Sequence, residues 1–211
     1  MRFSLPIAAA LLATFPSLAS AGHVASLVPI GLSFAPAAPE AVSPDHPLYH
    51  RVAITPVSGM LARVGGTFTL ATRPAEFDAA LRDTLDRLNM LAQNPADARV
   101  RLTVAWGDLA VPFHVGFGSH AEAKIGYTLS RIDTGQPIFS REIVTKAEAR
   151  GGDAVDREQE NARLALATNL ASMAVCIDQA AYGRAPADCA LTPLATYHAR
   201  RDPLIIFSRS R

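Results

Sequence analysis

The chain lacks an excess of either charge. Its 211 residues hold 20 Lys and Arg against 19 Asp and Glu. Arg2 is the only charge ahead of Ala21, so a chain cut there would carry 19 of each sign. A neutral protein without a basic stripe is poorly suited to nucleic acid, because phosphate binding needs clustered Lys and Arg. The apolar run from Leu5 to Phe15 is too short to span a bilayer, and no transmembrane span is expected in the mature form. Only two cysteines are present, Cys176 and Cys189, and neither lies behind the small residues near Ala21, where a lipid anchor would attach. There is no Arg pair for twin-arginine export and no internal repeat. Signatures of chemistry are scarce too. Ser119 has no Gly-x-Ser-x-Gly elbow around it. Gly116-Phe117-Gly118 lacks the strand-to-helix setting of a dinucleotide fingerprint.

The N-terminus has the layout of a secretory signal peptide over residues 1–21. Met1-Arg2 is a short positive start, Leu5–Phe15 an apolar centre, and Leu18-Ala19-Ser20-Ala21 a small-residue cleavage site. Residues 22–47 read as an extended, poorly packed tether, with Pro29, Pro36, Pro39, Pro44 and Pro47 among Ala and Ser. His46 and His50 stand four apart, but Pro47 between them argues against a shared helical face and a metal pair.

Residues 48–178 carry the periodic patterns of one domain. Arg51–Val57 is a short strand, with Pro56 at its end. A helix follows from Pro74, with Phe77, Leu81, Leu85, Leu88 and Leu91 on one face and Asn94-Pro95 as its stop. In Arg99–Trp106, Val100, Leu102, Val104 and Trp106 share a strand face. Two runs between His120 and Ala147 flank Asp133-Thr134-Gly135-Gln136 and predict an antiparallel hairpin at the centre of the sheet. Its buried face would be Ile125, Tyr127 and Leu129. A second helix opens after Gly151-Gly152-Asp153, with Ala162, Leu166, Leu170, Met173 and Ile177 inward. The order strand, helix, three strands, helix predicts an α+β fold: a two-layer domain with a four-stranded, mostly antiparallel sheet and two helices. The strand-helix-strand step makes the first two strands parallel. Residues 179–211 form a tail with a short apolar segment, Leu204–Phe207, between arginines.

Thr55-Pro56-Val57, the helix led by Phe77, Pro112 and Gly116, Tyr127-Thr128-Leu129, Thr134-Gly135 and Glu160-Asn161-Ala162-Arg163 occur in that order. Together they resemble a family of uncharacterised exported bacterial envelope proteins, over about Tyr49 to Ile177. Some members carry an acyltransferase label, but the hexapeptide period of that class is missing here. More loosely, the layout is similar to small envelope accessory proteins that assist transporters or outer-membrane assembly. The resemblance implies a scaffold and a compartment. It assigns no catalytic residue and no cofactor.

One apolar stretch is the candidate site. Between Gly107 and Glu122, Leu109, Val111, Phe113, Val115 and Phe117 alternate with smaller or polar residues, as in a strand extension or as an uncovered lip. On the second reading Trp106, Phe113 and Phe117 would contact an envelope protein or an apolar ligand. Asp108, His114 and Ser119 are the alternative, a small exported hydrolase, with His120 and Glu122 nearby. No metal site is expected, since His114 and His120 lack ligand spacing. Cys176 and Cys189 are expected to pair, because an exported protein meets oxidant.

Overall fold

The computed structural model describes residues 34–35, 39–58, 74–110, 118–150, 154–184 and 189–193. In chain order its elements are β1 (Phe34–Ala35), β2 (Val52–Ile54), α1 (Pro74–Arg87), β3 (Val100–Ala110), β4 (Gly118–Arg131), β5 (Pro137–Arg150), α2 (Ala154–Ala181) and β6 (Thr192–Pro193). The main sheet runs β2-β3-β4-β5. β2 and β3 are parallel, as their crossover through α1 requires, and the other pairs are antiparallel. This is the expected two-layer α+β arrangement. A separate ribbon joins β1 to β6.

Alternation decides which face is buried. Val100, Leu102, Val104 and Trp106 of β3, Ile125, Tyr127 and Leu129 of β4, and Phe139 and Ile143 of β5 are all buried beneath the helices. Residues between them form an open polar face. Arg131 N–H donates to the Gln136 carbonyl and Gly135 N–H to the Arg131 carbonyl, which closes the hairpin turn. Asp133 Oδ1 accepts from Thr134 N–H at 2.8 Å, and Gly135 takes φ 69°. β3 runs four residues past Trp106 through a bulge at Gly107. A Cβ at Gly107 would stand 2.8 Å from the Lys124 carbonyl oxygen, so the close approach of β4 requires glycine there.

α1 stops at Arg87, earlier than its apolar period suggests. Asn89 adopts φ 58°. Asn89 N–H donates to the Asp86 carbonyl and Met90 N–H to that of Leu85, an αL termination that satisfies the last carbonyls. Leu91 therefore leaves the helix and bridges to Val52. Residues expected as the end of a loose tether are packed instead. Val42 N–H donates to the Leu88 carbonyl, Val42 is buried, and Leu48 is only 2% exposed. Apolar side chains at 42 and 48 anchor the strap in spite of its prolines.

α2 crosses β4 and β5. Its segment Asn161–Ala181 is long and apolar enough to cross a membrane, but 78% of the apolar window is buried within the protein. From Asn161 to Ala174 nearly every side chain is inside, as befits a central helix of a packed body. Cys176 and Cys189 form a disulfide. Leu191 N–H donates to Ser172 Oγ at 2.8 Å, so the chain beyond α2 folds back along it.

Candidate functional site

Trp106 is 5% exposed and lies edge-on to Phe77, ring centroids 5.0 Å apart. Its expected place on a contact surface is therefore corrected. As an even-numbered residue of β3 it shares the face of Leu102 and Val104, and period two carries it into the core. Its Nε1 is buried without a hydrogen-bond partner among the described residues. Phe113, Phe117 and His114 lie outside the described residues.

Strand register bears on the hydrolase set. Asp108 pairs with Lys124, while Ser119 pairs with Ala149 at the far start of β4. The five-residue offset along β4 places Asp108 and Ser119 roughly 17 Å apart in backbone. A triad needs its acid and nucleophile on either side of one imidazole, two hydrogen bonds apart. The His120 side chain is exposed, on the open face of β4. Among the described residues no group of three His, Cys, Asp or Glu is arranged to hold a metal ion.

Among the described residues three further surfaces stand out. On the open sheet face, Glu122 accepts from Lys124 Nζ at 3.0 Å and Lys146 Nζ at 3.1 Å. The Lys124 bond first, then Lys146, holds the Glu122 carboxyl below its ordinary range. Thr128 and Ser140 hydroxyls meet across the strands at 3.0 Å. Val144, 39% exposed, is the apolar exception on β5.

At the end of the sheet a cleft of about 480 Å³ lies between Leu48, Arg99, Val100, Arg131, Ile132 and Ala181. A second, of about 300 Å³, lies beside the strap and includes Val42, His46, Val175 and Asp178. His46 Nε2 is 2.8 Å from Asp178 Oδ1, and its Nδ1 accepts from Leu48 N–H at 3.0 Å. His50 instead bonds the Leu91 carbonyl through Nδ1. The two histidines thus serve different neighbours, as the intervening proline suggests.

Sequence reasoning missed the polar centre of the core. Asn169 Nδ2 donates to the Ile143 carbonyl at 2.9 Å, Thr145 Oγ1 at 3.1 Å and the Ala123 carbonyl at 3.3 Å. Its Oδ1 accepts from the Tyr127 hydroxyl at 2.8 Å. Burial pushes the Tyr127 phenol well above its ordinary pKa. The available signal was an amide within the apolar half of a helix, which must find partners when buried.

No family model matches the sequence, and no curated protein does. Solved structures do match the fold. A Xanthomonas campestris protein assigned to DUF330 superposes with a TM-score of 0.54 at 10% identity, over 68% of this chain and 93% of that one. A candidate lipoprotein from Caulobacter crescentus CB15 gives 0.43 at 12% identity, over 65% and 95%. At the first of these identities the likeness shows a shared fold.

Proposed function

We propose that this is a non-enzymatic accessory or binding protein of the bacterial cell envelope, working outside the cytoplasm. The observation that carries the reading is the Cys176–Cys189 bond. Both residues are at most 1% exposed, so the bridge is built into the packed fold. Such structural bridges belong to oxidising compartments, since cytosolic thiols are kept reduced. The export-like start at residues 1–21 supports the same address, as does the scaffold resemblance. The register that parts Asp108 from Ser119 supports binding over catalysis in this reading, as do the open polar sheet face and the long strand edge. Its partner in this reading is an envelope protein or an apolar ligand.

The test is a serine-directed fluorophosphonate probe on the purified mature protein, followed by peptide mapping. Ser119 should stay unlabelled, and Ser119→Ala should leave envelope function intact. Stoichiometric labelling at Ser119, with loss of function in a folded Ser119→Ala variant, would establish the hydrolase instead.

A further inference from the structure

β5 closes one side of the sheet, and among the described residues no strand pairs with its outer edge. The strand is 14 residues long, far beyond the short edges with which proteins usually discourage pairing. Its sequence, Ser140-Arg141-Glu142-Ile143-Val144-Thr145-Lys146-Ala147-Glu148, has an internal symmetry. Glu142 and Lys146 stand two places either side of Val144, all three on the open face.

We infer that β5 is a self-complementary interface: a second copy of this chain adds antiparallel to it about a two-fold axis at Val144. Each Glu142 then faces the other copy's Lys146, and Val144 faces its twin. Ser140 faces Glu148. The two open faces become one continuous face of an eight-stranded sheet, an isologous contact of the commonest kind.

The two adjacent registers are worse. Cross-strand opposite charges stabilise a pair and like charges oppose it. Centring on Ile143 sets Glu142 against Val144 and Ser140 against Lys146, with no opposite charges joined. Centring on Thr145 sets Glu142 against Glu148. Centring on Val144 joins two Glu–Lys pairs and leaves no like charges opposed between Ser140 and Glu148. It also covers the one large apolar side chain of β5 that is substantially exposed. Lys146 is free to turn outward, being 73% exposed while its intramolecular partner Glu122 keeps Lys124. The chain that follows α2 packs against β5 through β6, and Arg141 Nη1 lies 3.8 Å from Cys189 Sγ on the helix side of the strand.

Sedimentation of the mature chain tests this, together with the oxidised Val144→Cys variant. A dimer is expected, and Val144→Cys should join two chains through a disulfide between the introduced thiols, seen by mass spectrometry of the linked peptide. Ser140→Cys or Glu148→Cys alone should not self-link, but mixed chains should. Glu142→Lys should weaken the dimer at least tenfold, as should Lys146→Glu, and the double exchange should restore it. Circular dichroism of each variant verifies its fold. A monomer at all concentrations overturns the proposal. So does a dimer indifferent to these charges, or one in which the thiols of Val144→Cys never join.

Discussion

Asn169 and Tyr127 sit at the junction of α2 with β4 and β5, sealed from water. The amide is saturated by four partners, one being the phenol. Replacing it by an apolar isostere strands the Tyr127 hydroxyl, and a buried polar group without a partner costs about 1–3 kcal/mol. Asn169→Leu is therefore expected to lower unfolding free energy by about 2 kcal/mol. Tyr127→Phe should cost less, and the double variant should recover part of the sum, as residues of one network do. Urea denaturation of the four proteins checks it.

The phenol adds a pH signature. Its folded pKa is raised above the ordinary value of about 10, so the native state holds this proton more tightly than the unfolded chain. That contribution is fully present below about pH 10 and lost as pH climbs towards the folded value. Stability should decline above about pH 10, less steeply in Tyr127→Phe. Equal slopes would contradict the burial of this proton.

Elements differ in how far the sequence discloses them. The hairpin was legible because alternation, Asp133 and Gly135 all agreed, and every one of Ile125, Tyr127 and Leu129 is buried. The second helix was legible through its apolar stripe. The end of α1 was not, since Leu88 and Leu91 keep the helical period while Asn89 ends the helix through a backbone conformation that composition barely signals. Trp106 was placed on the right strand but assigned a surface role that its own face denies. The strap was misjudged for a different reason. Prolines read as loose chain, yet Val42 and His46 find cover from distant segments that no local pattern reveals.

The disulfide is an element-scale device. It closes a loop with a sequence separation of 13 and fastens the returning chain to the end of α2. A closed loop of that size is worth about 3 kcal/mol through the entropy it removes from the unfolded chain. The Cys176→Ser, Cys189→Ser double variant should lose about that much, read from urea midpoints without reductant. A loss well under 1 kcal/mol would mean that Leu191 and its bond to Ser172 already hold the segment in place.

For the whole molecule the parts point one way. The sequence balances 20 Lys and Arg against 19 Asp and Glu, and 78% of the apolar window of α2 is buried within the protein. Among the described residues, a polar sheet face, the long edge of β5 and two modest clefts face outward. Of the candidate aromatic contact, Trp106 is core, and Phe113 and Phe117 fall outside the described residues. The compartment is what joins the export-like start, the bridge and the scaffold resemblance into one account.

The intact mass of the protein taken from its own cells, alkylated before any reductant is added, tests that account most directly. The expected species begins at Gly22, having lost Met1–Ala21, and takes up no alkyl group because both cysteines are bonded. A chain that retains Met1–Ala21 and carries two alkylated thiols would contradict it.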